Sequence, residues 1–213
     1  MKKSKENFAR AGDYVANKLM VGITGASGAQ LGIHLLKIMK LQKEWEIHVI
    51  LSDAARKTIA VETKFSPSQV EELADHVHDI RNIGDGPASG SYGLSGMVVA
   101  PCSMKTLAGI HSGYSDNLLL RAADTIIKEG KPLVLCPRET PLSPIHLRNM
   151  LELSQIGVRI VPPMLTYYIS SPTVENMTHH CVGKLLGFFG LDVEGFQCWT
   201  GLKEYTNLNK PRR

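Results

Sequence analysis

Short apolar runs alternate with helical stretches along almost the whole chain, and each run breaks off at a corner rich in glycine, proline or serine. Residues 18–24, 46–51, 97–100, 132–136 and 158–161 read as strands, and His76 and His78 alternate on a further one. Between them, residues 29–39, 53–61, 67–73, a stretch from Met104, and residues 117–128, 143–154 and 173–189 carry helical spacing, with Ser52 or Asp53 and then Ser143 placed as caps. Strands separated by helices imply βαβ units, because a parallel neighbour can be reached only through a long crossover. The expected fold is therefore α/β: a doubly wound, mostly parallel sheet in a Rossmann- or flavodoxin-like three-layer sandwich. No repeat or linker divides it. One domain is expected over residues 18–202, with a polar N-terminal extension over 1–17 and a C-terminal tail over 203–213.

Such sheets bind ligands beyond the carboxyl ends of their strands. The unusual residues of this chain gather there: Gly25, Ala26, Ser27 and Gly28 after one strand, Ser52 after the next, Pro101 to Thr106 after a third, and Pro137, Arg138 and Glu139 after a fourth. The glycine-rich turn bends a strand straight into a helix, so backbone N–H groups and the positive helix end face an incoming anion. A tight turn without a ligand would look the same. Its spacing is neither the GxGxxG of dinucleotide sites nor a Walker loop. Asp53, however, lies where a carboxylate would bind the ribose of NAD, and Ser52 suits either a helix cap or a phosphate. Ser103 is equally readable as a cap.

Cys102 lacks an assignable histidine partner and reads better as a small buried residue than as a nucleophile. Arg138 offers a rigid fork for phosphate or a flavin carbonyl, and Glu139 a titrating carboxylate; the alternative is a surface ion pair between the two. Glu62 ends a mostly apolar helix, either solvated or facing the cleft. Arg121 and Lys128, seven apart on one helix, share a face. No histidine–carboxylate set stands out among the eight histidines, so no metal is expected.

Composition narrows the function classes. The net charge of +4 is not concentrated in a basic stripe with interleaved aromatics, so nucleic acid is not the expected partner. Four dispersed cysteines form no CxxC pair, which argues against a zinc knuckle or a disulfide scaffold and for a reducing compartment. No apolar run reaches the ~20 residues of a membrane span, and the first residues lack the apolar stretch of a secretory signal. A cytoplasmic protein without membrane partners is expected.

Several segments together resemble the flavin prenyltransferases: Gly22-Ile-Thr-Gly-Ala-Ser-Gly-Ala29, Ala88-Ser-Gly-Ser91, Pro101-Cys-Ser-Met-Lys-Thr-Leu-Ala-Gly109, Arg121-Ala-Ala-Asp124, and Pro137-Arg-Glu139 followed by Ile145-His-Leu147. The resemblance covers residues 18–202. It implies transfer of a dimethylallyl group from dimethylallyl phosphate to N5 and C6 of reduced FMN, without a metal. It also implies a homododecamer with sites between subunits, and a partner decarboxylase for aromatic acids that receives the prenylated FMN. By the same resemblance, FMN is held by Gly25, Ala26, Ser27, Ser52, Ser103, Met104, Lys105, Thr106 and Arg138. The prenyl phosphate meets Tyr168 and Lys184, with Arg121 and Lys128 near. Ser27, Glu62 and Glu139 match the polar and acid–base residues around the reacting flavin, and Trp199 an aromatic lining. Many relatives carry Arg where this chain has Lys184, which keeps the charge and loses the fork. Two rival readings have other chemistry: an FMN-dependent cysteine decarboxylase, and a flavin carrier with no catalysis.

Overall fold

A computed structural model of the chain describes residues 17–169 and 172–202. Its elements follow the expected alternation: β1 (Asn17–Ile23), α1 (Ala29–Met39), β2 (Trp45–Leu51), α2 (Asp53–Glu62), α3 (Pro67–Glu71), β3 (His76–His78), β4 (Gly96–Cys102), α4 (Met104–His111), α5 (Leu118–Lys128), β5 (Leu133–Pro137), α6 (Pro144–Gln155), β6 (Arg159–Ile160) and α7 (Val174–Gly187). The six strands form one sheet in the order β3-β2-β1-β4-β5-β6, and every pairing is parallel. The chain winds outward from β1 through β2 to β3, then returns to the centre and winds the other way through β4, β5 and β6. The loops after β1 and β4 therefore diverge, and a crevice opens between them.

Alternation along β1 sorts its side chains. Leu19, Val21 and Ile23 pack with α1 and with Val182, Leu185 and Leu186 of α7. Met20 points the other way, into a cluster with Leu118, Leu119 and Ala122 of α5. Burial on both faces explains why the central strands are continuously apolar.

Two expectations are corrected here. Strand β4 does not stop before Pro101 but runs through it to Cys102, and its register against β5 shifts between Val99 and Cys102. A residue without an N–H fits a strand where the ladder is already irregular. The last strand is shorter than residues 158–161. Two single 3₁₀ turns, Gly86–Ala88 and Gly90–Tyr92, were also not foreseen. Of the expected extension 1–17 only Asn17 is described, and it opens β1; the tail 203–213 lies outside the described residues.

A third correction concerns the histidines. Parallel pairing of β2 with β3 sets His48 opposite His76 and Ile50 opposite His78. Glu46, two residues before His48, emerges on the same face, so Glu46, His48 and His76 bring three ligand-type atoms within 4.8 Å of one another. A carboxylate–histidine set therefore exists. It lies near the amino ends of the strands, about 13–20 Å along β2 from Ser52.

Candidate active site

At the carboxyl edge of the sheet, one buried hydroxyl joins the two diverging loops. Thr24 Oγ1 donates to the Pro101 carbonyl at 2.7 Å and accepts from the Ser103 N–H at 2.8 Å, while the Thr24 N–H reaches the same carbonyl at 3.2 Å. Further backbone bonds, Ser52 N–H to Ile23 O at 3.0 Å and Arg138 N–H to Cys102 O at 3.2 Å, tie all four strand ends into one rim. Thr24 is 1% exposed and had not been singled out in the sequence.

The α1 helix starts at Gly28, whose φ of 106° suits glycine and which supplies no side-chain cap. The missing cap comes from another helix. Glu62 Oε2, at the end of α2, accepts from the N–H groups of Gly28 at 2.8 Å and Ala29 at 3.1 Å. Desolvation pushes the Glu62 carboxyl up, but the Ser27 hydroxyl, these two N–H groups and the Arg138 charge outweigh it and hold the group below the usual carboxylate range. Arg138 Nε donates to the Ser27 carbonyl at 2.8 Å. Ser27 is therefore gripped from both sides, by a carboxylate and a guanidinium that lie far apart in sequence. Glu62 is exposed and does not line the cleft. Its carboxylate is turned toward the glycine-rich turn, a contact that neither the solvated nor the cleft-facing reading described.

The hydroxyls of the other turns act as caps. Ser52 Oγ accepts from Ala55 N–H at 3.0 Å, and Ser103 Oγ accepts from Thr106 N–H at 3.3 Å while donating to Thr106 Oγ1 at 3.1 Å. Both residues also line a cleft of about 730 Å³ with Gly25, Lys57, Lys105 and Thr106, so capping and a place in the cleft coexist. Gly25 is required by close approach: a Cβ there would stand 2.3 Å from the Ala54 Cβ. Asp53 also borders the cleft, but its carboxylate is bound by Arg81 at 3.1 Å.

Two further readings are decided. Arg138 and Glu139 do not pair; Glu139 Oε1 accepts the Thr140 N–H at 2.9 Å, and the exposed carboxylate stays at the rim. Cys102 is fully buried and its thiol is pushed strongly up, by burial first and by Cys136 next. Burial likewise pushes Cys136 up to about 12. Neither thiol is a nucleophile at neutral pH.

The residues expected at the prenyl phosphate divide into groups. The Tyr168 hydroxyl lies 3.2 Å from His180 Nε2, and the Tyr168 ring meets the Trp199 ring edge-on at 5.4 Å between centroids. His180, stacked on Phe196 at 4.8 Å, was not anticipated as part of this cluster. Burial lowers the His180 pKa and the Lys184 charge, one turn on, adds to the effect. Lys184 itself is exposed near the end of α7, where Phe189 packs on Trp45 at the start of β2. Arg121, early in α5, is exposed and 3.7 Å from Asp124. Lys128 is the last residue of α5, about 10 Å further along the helix. Lys128 thus lies toward the amino ends of the strands, Lys184 sits one turn from His180, the partner of Tyr168, and none of the four residues lines the cleft.

Comparison with known proteins shows the family. The sequence pattern of the family described as Flavoprotein matches residues 8–185. A probable UbiX-like flavin prenyltransferase of Sedimentibacter hydroxybenzoicus is 46% identical over 187 residues, 88% of this chain and 99% of that protein. The crystal structure of AnUbiX (PadA1) in complex with FMN and dimethylallyl pyrophosphate superposes with a TM-score of 0.85 at 45% identity, covering 88% of this chain and 99% of that one. A dodecameric FMN-dependent UbiX-like decarboxylase from Escherichia coli O157:H7 gives a TM-score of 0.85 at 48% identity, over 86% of this chain and all of that one. The FMN-dependent cysteine decarboxylase SpaF, at 21% identity and a TM-score of 0.56, shares the fold alone.

Proposed function

The chain belongs to the flavoprotein family and, within it, to the UbiX-like flavin prenyltransferases, and from that membership we propose that it transfers a dimethylallyl group from dimethylallyl phosphate to N5 and C6 of reduced FMN. The observation that carries this reading is the rim itself: Ser27 held between Glu62 and Arg138, on the loop that Thr24 ties to the Ser103 turn. A cysteine-decarboxylase reading rests on shared fold only.

The residues present fit FMN. The cleft volume is within the range of cofactor sites. It combines hydroxyls at Ser52, Ser103 and Thr106, the cations Lys57 and Lys105, and the amino ends of α2 and α4, which is the chemistry a phosphate tail requires. Gly25, Ala26, Ser27 and Met104 would border the ligand with backbone or apolar atoms, and Arg138 would hold the ring side. When bound, reduced FMN supplies the nucleophilic N5 and C6.

The chain's own residues supply the rest. Departure of phosphate from an allyl carbon leaves a dianion, which cations stabilise without a metal, and a cation-like carbon, which aromatic faces such as those of Tyr168 and Trp199 stabilise. Glu139 at the rim would take up the proton released on ring closure. Because Lys128 lies toward the other end of the sheet, the phosphate site with Tyr168, Lys184 and Arg121 would be completed between subunits of a homo-oligomer, proposed as a dodecamer. A partner aromatic-acid decarboxylase would receive the product. The proposed setting is the cytoplasm; no helix among the described residues is long and apolar enough to cross a membrane.

The test is anaerobic incubation with FMN, a reductant and dimethylallyl phosphate, followed by mass spectrometry of the flavin. An added five-carbon unit, absent without the prenyl phosphate and lost in Glu139→Gln while FMN remains bound, is the expected result. Unaltered flavin in the complete wild-type mixture would sink the reading.

A further inference from the structure

We propose that Glu46, His48 and His76 form a binding site for a divalent ion of the zinc class, separate from the flavin cleft and clamping edge strand β3 to β2.

The starting point is an unpaired lone pair. His48 is 0% exposed, and its Nε2 is buried without a hydrogen-bond partner. The protons around it can be placed by following the hydrogen bonds inward from Asp85. Asp85 Oδ2 lies 2.7 Å from His78 Nδ1. A carboxylate oxygen only accepts, so His78 Nδ1 donates to Asp85. In a neutral His78, Nε2 is then an acceptor. Its neighbour at 2.9 Å is His48 Nδ1, which must donate. The Tyr92 hydroxyl approaches the same nitrogen at 3.3 Å. His48 Nε2 is thereby left as a bare lone pair in a dry setting. It faces Glu46 Oε1 at 3.5 Å, another acceptor. A buried acceptor is thus turned toward a partly exposed carboxylate whose Oε1 also has His76 Nε2 beside it, an arrangement that a cation can enter.

The spacing suits a metal. Donors around a tetrahedral zinc ion at about 2.1 Å stand roughly 3.4 Å apart, and His48 Nε2 and Glu46 Oε1 are at 3.5 Å. His76 Nε2 is 2.5 Å from the same carboxylate oxygen and would retreat by about 1 Å. Its side chain is 49% exposed and has room to do so. Two imidazoles and one carboxylate favour zinc-class ions over calcium or magnesium. The Asp85–His78 pair would orient His48 as an outer partner of a metal ligand does. Lys18 opposes the ion: its Nζ is 3.8 Å from Glu46 Oε2 and sits over the Tyr92 ring at 4.6 Å. That positive charge weakens the hold on the ion, and the fourth coordination position is left to water.

Nothing in this site touches the prenyl-transfer residues, so binding is read directly. Metal-stripped full-length protein is titrated with Zn2+ by calorimetry and with Co2+ by visible absorption. The expected result is one ion per chain, a Co2+ spectrum of tetrahedral type, and a rise in melting temperature on adding Zn2+. His76→Ala and Glu46→Gln should each weaken binding more than about tenfold, and Asp85→Asn about ten- to a hundredfold through its outer-partner role. His111→Ala, at the separate His111–Glu152 pair, should leave binding unchanged. His76 and Glu46 are surface-accessible, so their variants should fold, which the metal-free melting temperature checks. No binding, or binding that His76→Ala and Glu46→Gln leave intact, would overturn the site; the Nε2 lone pair would then be filled by a proton.

Discussion

Replacing Thr24 by valine changes one atom's chemistry at nearly constant shape, and the consequences follow from two distances. The hydroxyl donates to Pro101 O at 2.7 Å and accepts from Ser103 N–H at 2.8 Å. Pro101 O keeps the Thr24 N–H at 3.2 Å and is not stranded. Ser103 N–H loses its partner in a half-buried place. An orphaned donor costs about 1–3 kcal/mol when fully buried, so about 1–2 kcal/mol is expected here. For a chain of this length that lowers Tm by roughly 2–8 °C. If the Ser103 turn relaxes away from the rim to find water, FMN must draw it back. The same 1–2 kcal/mol then appears as about five- to thirtyfold weaker binding. Flavin fluorescence quenching measures the affinity and a thermal melt the stability. Thr24→Ser keeps the hydroxyl and should bind FMN like wild type, losing stability only through the missing methyl, about 1 kcal/mol. Wild-type affinity and Tm in Thr24→Val would refute the reasoning, as would a serine variant as weak as the valine one.

Glu62→Gln should lower Tm by about 2–4 °C at neutral pH, the scale of a lost helix cap. Because the folded carboxyl titrates below its ordinary 4.5, that contribution is complete above pH ~4.5 and fades as pH falls through the folded value; the gap between variant and wild type should therefore close in acid, and a gap independent of pH would show that Glu62 caps nothing by charge. Gly25→Ala should cost about 1–3 kcal/mol and abolish most FMN binding, since its Cβ meets the Ala54 Cβ and, at 3.2 Å, the Ala54 backbone; tight binding in a dialysis assay would mean that the loop has room to shift.

The layer architecture was open to inspection in the sequence because its determinants are local. Period and flanking turn residues are properties of neighbours in the chain, and helix α1 was placed at its observed bounds, Ala29–Met39, from them alone. The same holds for the gathering of special residues after strands, and for Ser52 and Ser103 as caps, since a cap bonds three residues ahead. What the sequence left open were relations across the sheet. Nothing near Thr24 announces a bond to Ser103, 79 residues away, and nothing at the end of α2 announces that Glu62 caps α1. Arg138 and Glu139 are adjacent in sequence, which invited an ion pair, but the rim turns Arg138 toward Ser27 and leaves Glu139 outside. The histidine cluster escaped for the same reason: Glu46 and His48 meet His76 only because parallel pairing of β2 with β3 sets one register rather than another. Side-chain direction in a strand has a period of two, so a shift by a single residue would have sent His76 and His78 to the opposite face. That choice belongs to the packing of the whole sheet, where burial of the apolar face outweighs any local preference.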